Sequence, residues 1–435
     1  MNALLYAQQA THLGWGFYGP LIAMIVLTLL AVPIWVVIGL GASAMLYFTG
    51  ALPLSLFGES LFDGINSFAL IAIPLFILTG DLLVRTGLSV KLLDLAEATV
   101  GGAKSGLGCA TVLGAGFFAC ISGSDSADTA AIGRVTLARL IERGYPEPLA
   151  CALVAAGSCT GILIPPSISY IIIGLILGQS VATLFLAAAV PGIIVLLAIL
   201  VTTVIINRIH GYESARDKFS WRRWVKALWQ ARYAVMIPFI ILGGIYSGVF
   251  TPTEAAAVAV AVIVTVGFAQ GTLHLSDLPR IFESSAKVNG VILPIIAMSL
   301  PLAQTFSTLS IPQTFVSAMT GLSSNPSVVM LLMIAILIIA GCIMETTPNI
   351  VILSPLLLPL AEKIGMNDIH FCILMITALG VGFITPPFGL NLFVVSSLQR
   401  TPVLSVAWRA VPYVIGMLGA VLLIAFVPQL SLWAF

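Results

Sequence analysis

The chain has 435 residues, 60% of them apolar and 8% charged, where an ordinary globular domain carries about 25% charge. Nothing ionic occurs over 1–58, 148–207, 288–344 or 410–435, so a soluble fold is excluded and a polytopic membrane protein is indicated. Eighteen Lys and Arg against 17 Asp and Glu leave a formal charge of +1, which gives no field for binding nucleic acid.

At roughly 20 residues per crossing, the length allows about ten to thirteen passes, and the absence of ten-residue apolar/polar alternation excludes an outer-membrane barrel. The fold expected is all-α. Apolar runs place spans at 17–40, 41–57 and 67–84, a hairpin at 105–139, a broken span at 149–177 and a span at 183–206. The segment 207–232 follows as a polar belt holding seven of the eighteen cationic residues: Arg208, Arg216, Lys218, Arg222, Arg223, Lys226 and Arg232. Its Trp221, Trp224 and Trp229 beside those cations suit an amphipathic helix lying along the headgroups, with an unstructured cytoplasmic linker as the alternative. Spans then resume at 233–250, 254–270 and 287–306, with a second hairpin at 326–363, a second broken span at 369–398 and a last span at 405–426.

The order of elements suggests two halves, 1–206 and 233–435, joined by 207–232. Shifting the chain by 221 residues superposes Gly144 on Gly365, Cys151 on Cys372, Gly161 on Gly382, Pro165-Pro166 on Pro386-Pro387 and Val190-Pro191 on Val411-Pro412 without a gap. Matches in Gly and Pro carry weight because those residues fix backbone geometry. If the basic belt is cytoplasmic and five spans precede it, the second half begins inside and the halves have inverted topology. Arg85, Lys91, Lys104, Arg139, Arg143, Arg280, Lys287, Arg400 and Arg409 then fall inside, and Glu59, Asp63, Glu254 and Asp368 outside, with Lys363 the one clear cation there. Both termini are expected in the periplasm. The six cysteines sit in apolar runs without CxxC spacing and read as packing residues. No Lys or Arg precedes the first apolar run, so a cleavable signal peptide is not expected.

Four segments interrupt the apolar pattern where helices should cross: 122–129, 161–167, 341–349 and 382–389. Lipid cannot satisfy free peptide groups, so such breaks must be buried in protein or line an aqueous cavity. Thr347-Pro348 and Thr385-Pro386 fit a hydroxyl N-cap followed by proline at the first helical position, and Asp125, Ser126 or Asp128 would cap in the first hairpin. Helix ends meeting at the membrane midplane offer carbonyls to a small hard cation and free N–H groups to an anion, an arrangement typical of secondary transporters. Asp125, Asp128 and Glu345 divide between capping helices and supporting a cation. Arg134, on the returning arm of the first hairpin, either reaches the cytoplasm or pairs with Asp128, the first being favoured.

Several runs resemble the large membrane subunit of tripartite ATP-independent periplasmic (TRAP) transporters, the DctM-like type. They are the run 121–133, Arg143-Gly144-Tyr145, the run 161–168, Met344-Glu345-Thr346-Thr347-Pro348 through Pro355 and Pro359, His370-Phe371 and the run 382–390. The resemblance covers essentially the whole chain. It implies an elevator-type fold in the bacterial inner membrane and sodium-coupled uptake of an organic acid such as a C4-dicarboxylate or sialic acid. It also implies a periplasmic substrate-binding protein and a small four-span membrane subunit as partners. It places one sodium site at Ser122, Gly123, Ser124, Gly161 and Pro165, and a second at Gly341, Met344, Thr346, Gly382, Thr385 and Pro386. Substrate-contacting candidates are Asp125, Ser126, Asp128, Ser167, Glu345, Thr347 and Asn349. Departures from the family pattern stand at Glu345, at Arg134, where a small residue is usual, and at the tip Asp125-Ser126. The alternative is a standalone sodium-coupled carboxylate symporter of the divalent-anion type, although neither hairpin tip here reads Ser-Asn-Thr. No HExxH, GxSxG or GxxxxGK[ST] occurs, so neither an intramembrane enzyme nor an ATP-driven pump is expected.

Overall fold

The computed structural model describes residues 14–50, 53, 55–100, 105–213, 219–386 and 389–435. Lys104, Arg216, Lys218, Pro387 and Phe388 lie outside them. Among the described residues the chain is helical throughout, without strands, as its composition predicts.

The predicted spans 17–40 and 41–57 are divided differently: α1 (Trp15–Leu29) and α2 (Ile34–Thr49), which runs from the first into the second, pack against each other. Pro33 has no N–H to continue a helix and disfavours helical geometry in the residue before it, and the chain reverses at Ala31 with φ +57°. Gly50 ends α2 in the left-handed conformation, and α3 (Ser55–Ile65) follows. A 3₁₀ turn, Phe68–Ile71, leads into α4 (Ala72–Arg85), and α5 (Leu88–Val100) precedes the first hairpin.

That hairpin is α6 (Gly106–Ser122) and α7 (Asp125–Glu142), and the broken span after it is α8 (Glu147–Ser158), α9 (Thr160–Leu163) and α10 (Ile168–Leu177). The arms of this span bend by 42°. Helix α11 (Val181–His210) then crosses in 30 residues. The belt differs from expectation. After Gly211 the chain re-enters helix at Trp221, and α12 (Trp221–Tyr246) continues unbroken for 26 residues. Its Trp and Arg residues form the first turns of a long helix and not a separate surface helix, because Ser220 caps the start and no breaker occurs before Tyr246 except Pro238. At the other end of the belt Glu213 is buried and bonded, which excludes a featureless linker there.

The second half supplies α13 (Pro252–Ala269), α14 (Leu278–Thr308), α15 (Ile311–Leu322), the hairpin α16 (Pro326–Ile343) and α17 (Thr346–Lys363), the broken span α18 (Asp368–Gly382) and α19 (Leu390–Gln399), and α20 (Val403–Phe426). Seven of the described helices are long and apolar enough to cross a bilayer, eight if the bent pair counts once. That is fewer than the length allows, because several apolar runs form helices of only 10–17 residues that turn back or break.

Packing sorts these elements into two groups. The hairpins and broken spans pack on one another and on α11 and α20, while α1 to α4, α13 and α14 pack among themselves. The groups touch where the first hairpin tip and α10 meet α4 and where α17 meets α14. Burial follows this division. The segments 149–174 and 370–384 are buried at every position, whereas α11, α12 and α20 present Ile209, Phe239 and Trp408 outward. The irregular backbone therefore lies where protein covers it and lipid does not.

Charges collect at one end. Arg85 pairs with Asp277 at 3.0 Å, Lys91 bonds Gln270 at 2.9 Å, Arg139 pairs with Glu97, Arg143 lies 3.7 Å from Glu213, and Thr401 bonds Glu147.

Candidate functional site

Each hairpin tip meets one broken span. In the first hairpin, α6 stops at Gly123 (φ +64°), Ser124 is extended, and α7 starts at Asp125. The cap is therefore Ser124, which makes no side-chain cap bond, and not Asp125, Ser126 or Asp128. Those carboxylates sit in the first turn, where the helix dipole favours them. Asp125 and Asp128 are buried, and Asp128 accepts a hydrogen bond from the Ser122 hydroxyl across the tip.

The first broken span crosses this tip. After α9 the chain is extended at Ile164, passes through a cis Pro165-Pro166 bond and restarts at Ser167. The Ser167 hydroxyl is occupied: it donates to the Ile162 carbonyl at 2.9 Å and accepts from the Ser169 amide at 3.3 Å. It closes the break and offers a substrate no free donor. The two breaks touch through glycines. The amide of Ile168 donates to the Gly123 carbonyl at 3.3 Å. A Cβ at Gly123 would stand 3.0 Å from the Pro166 carbonyl oxygen, and one at Gly161 would stand 2.9 Å from the Asp125 amide nitrogen. The tip 122–125 thus lies against Gly161 and the 166–168 turn, with Pro165 next to it in the chain.

In the second hairpin, α16 ends at Met344 and Glu345 precedes α17, which begins at Thr346. Thr347 and Pro348 fall at the second and third helical positions, so the predicted Thr347-Pro348 cap is displaced by two residues. Proline remains tolerable there because the first four N–H groups of a helix have no intrahelical acceptor. Asn349 ties the tip together, its amide donating to the carbonyls of Met344 at 2.9 Å and Ala340 at 3.2 Å. Glu345 is exposed, unlike the two aspartates, and faces a small pocket shared with Met344, Leu390 and Phe393.

Against this tip lies the end of α18. A Cβ at Gly382 would stand 2.6 Å from the Gly341 Cα, and one at Gly341 would stand 2.7 Å from the Leu379 carbonyl oxygen, so both positions require glycine. Thr385 does not cap the next helix. It extends the α18 side, its amide donating to the Gly382 carbonyl at 3.0 Å and its hydroxyl to the Val381 carbonyl at 2.7 Å, while Gly389 precedes α19. Pro386 lies in the turn between them and not at the first helical position. Gly341 meets this segment directly, while Met344 and Thr346 follow it in the hairpin tip, Met344 facing Leu390 and Phe393.

One residue the sequence reading missed joins the two crossings. Asn391, fully buried at the start of α19, directs its amide to the Ala155 carbonyl and the Cys159 sulfur of the other broken span, both at 3.4 Å. Its signal was available as a lone amide in the apolar run 389–395.

Both crossings leave buried oxygens without a hydrogen-bond partner among the described residues. They are Asp125 Oδ2, Asp128 Oδ2, Ser158 Oγ and Asn391 Oδ1 near the first, and Thr346 Oγ1 and Asn349 Oδ1 at the second. Buried oxygens are normally bonded, so a group of orphans marks a place for another ligand. An oxygen-only set beside backbone carbonyls fits a hard cation such as sodium.

A cavity of about 410 Å³ opens beside the first tip, between α4, α7 and α14, with Ser122 and Ser124 at one end and Arg134 and Arg280 in its wall. Arg134 is exposed to this space and does not pair with Asp128.

Comparison with known proteins agrees with this architecture. Two solved transporters share the fold over 86% of this chain: the YdaH transporter of Alcanivorax borkumensis (TM-score 0.60, 15% identity, 89% of that chain) and MtrF of Neisseria gonorrhoeae (0.59, 14%, 83%). The C4-dicarboxylate TRAP transporter large permease protein of Pseudomonas aeruginosa is 36% identical over 88% of this chain and 92% of its own length. The sialic acid TRAP transporter large permease protein of Vibrio cholerae is 30% identical over 90% and 92%. An isethionate TRAP transporter permease protein of Oleidesulfovibrio alaskensis is 34% identical over 92% of this chain, which spans 64% of that longer protein. Residues 21–430 match the family described as the tripartite ATP-independent periplasmic transporter, DctM component, and the chain belongs to that family.

Proposed function

We propose that this chain is the large membrane subunit of a sodium-coupled importer of an organic acid, working with a periplasmic substrate-binding protein and a small four-span membrane subunit. The observation that carries the reading is the pair of crossings. Two hairpin tips and two broken spans meet at glycine contacts, deep in the protein, around oxygens that lack partners. Sodium at these crossings would neutralise the negative ends of half-helices and complete the surface on which the substrate rests. The relatives named for C4-dicarboxylate, isethionate and sialic acid share an acidic substrate, which supports the substrate class.

Transport would proceed by an elevator motion. The hairpin group slides past α1 to α4, α13 and α14, carrying the two crossings and exposing them alternately to either side. The halves 1–206 and 233–435 would be inverted repeats in the inner membrane. The basic end would face the cytoplasm and the termini the periplasm, since Lys and Arg are retained on the cytoplasmic side. A cysteine at Lys226 should then react from inside and one at Ser247 from outside.

The deciding experiment is reconstitution in proteoliposomes. Uptake should require an inward sodium gradient, the small subunit and the binding protein together. Full uptake by this chain alone would instead favour the standalone symporter of the divalent-anion type.

A further inference from the structure

The charged side chains lining the cavity beside the first hairpin tip sum to a net positive charge. Four charged residues line it: Asp81 and Arg85 on α4, Arg134 on α7 and Arg280 on α14. Two of these are already committed. The Asp81 carboxylate accepts the Ser285 hydroxyl at 2.7 Å, and Arg85 pairs with Asp277 at 3.0 Å. The nearest acid along α14, Glu283, bonds Lys287 at 2.7 Å and is shared electrostatically with Arg280. Arg134 and Arg280 make no close ion pair or hydrogen bond among the described residues, yet both flank one cavity. Arginine near membrane depth is costly and is retained where it meets a pathway or a counter-charge. Here Asp81 and Glu283 offset the two guanidiniums only in part.

The position of the pair adds direction. Arg134 is nine residues beyond Asp125, about 14 Å along α7 from the hairpin tip, toward the end where the ion pairs collect. Ser122 and Ser124 mark the other end of the same space. The two arginines also belong to different packing groups, Arg134 to the hairpin group and Arg280 to the surrounding helices.

We propose that Arg134 and Arg280 form an anion-receiving site between the first hairpin tip and the basic end of the protein. Its ligand is a small organic oxyanion, carrying a carboxylate or sulfonate, on its way out of the crossing. A guanidinium presents paired N–H donors that match such a group, so two of them facing one cavity hold it without a metal. Because they sit on different groups, sliding of the hairpin group parts them and releases the anion. This proposal rests on the transport reading above and extends it to a residue pair.

The test reads the charge of the cavity separately from transport. Ser284, an exposed cavity residue on α14, is replaced by cysteine in the reconstituted assembly. Its reaction rates with sulfonatoethyl and trimethylammonioethyl methanethiosulfonate are then compared, above the background of the parent thiols. The anionic reagent should react faster, and Arg134→Ala or Arg280→Ala should each lower the anion-to-cation rate ratio about fivefold, as one unit charge about 8 Å away in water requires. Arg134→Lys should keep the ratio. In counterflow with succinate as the probe on the basic side, Arg134→Ala should raise KM about tenfold while sodium activation stays at the parent level. A rate ratio unchanged by both alanine variants overturns the proposal, and if sodium-driven uptake is intact in the same preparation the transport reading survives it. A ratio that falls in a preparation with no sodium-driven uptake of any organic acid supports the anion site and overturns the transport reading alone.

Discussion

The Glu213 carboxylate, in the segment joining the two halves, accepts the backbone N–H of Leu107 with its two oxygens at 2.9 and 3.1 Å. This closes the start of the first hairpin's leading arm, whose own N-cap, Ser105, makes no side-chain cap bond. The Tyr145 phenol donates to the same carboxylate at 3.2 Å, and burial holds that phenol well above its ordinary pKa, so it remains a donor. Asn207 fixes the backbone of Glu213 from both sides, at 2.8 and 2.9 Å. The connecting segment is therefore clamped to the hairpin base. Glu213→Ala should lower stability by about 1–3 kcal/mol, since it strands buried donors at a helix start. Glu213→Gln, which keeps an acceptor, should lose less. Thermal unfolding in detergent measures both, and equal loss in the two variants would remove the capping role.

The contact between Gly341 and Gly382 makes a second prediction. Each lacks space for a side chain against the backbone of the other helix. Gly382→Ala should force the second hairpin tip off its broken span, at a cost of about 1–3 kcal/mol for overpacking, and should abolish transport. Gly419, with nothing within 4 Å of a Cβ, provides the control, and Gly419→Ala should leave both properties unchanged. Transport by the Gly382→Ala variant at the parent rate would contradict the view that this approach organises the site.

The breaks were legible in the sequence because Gly, Pro and charged residues stand out against an apolar background. Gly123, Gly161, Gly341 and Gly382 fall where two backbones touch, a meeting that only the family resemblance had implied. What could not be read was the exact point of restart. Thr347-Pro348 and Thr385-Pro386 look like caps, but a helix can begin one turn before a proline, and Thr385 instead closes the preceding helix through Val381. Within an uninterrupted apolar run, hydropathy does not distinguish one long span from two short helices. Only Pro33 marks the reversal inside 17–40, and α5 and α15 resemble connecting segments until their neighbours are placed.

Asn391 supports a third prediction, on coupling between the two broken spans. Its amide reaches Ala155 and Cys159, and its Oδ1 has no hydrogen-bond partner among the described residues. Asn391→Leu keeps the volume but removes the polar contacts. If those contacts act only in packing, stability should fall by about 1 kcal/mol and sodium dependence should not move. If Oδ1 serves the ion, the sodium concentration for half-maximal uptake should rise several-fold. The second outcome is expected, because a fully buried oxygen is seldom left without a partner.

The two threonines near the second crossing separate a free ligand from an occupied one. Thr346 Oγ1 is buried and has no hydrogen-bond partner among the described residues, whereas the Thr385 hydroxyl already donates to the Val381 carbonyl at 2.7 Å. Valine conserves the shape of either side chain and removes the oxygen. Thr346→Val should therefore raise the sodium requirement about tenfold, corresponding to roughly 1.4 kcal/mol, the scale of one lost oxygen contact to a charged group. Thr385→Val should raise it less, since the lost group was partly satisfied within its own helix. Sodium titration of uptake in proteoliposomes, at saturating substrate and binding protein, orders the two. If both variants match the parent, the oxygens of the second crossing do not hold the coupling ion. If Thr385→Val has the larger effect, the ion sits on the broken span and away from the hairpin tip.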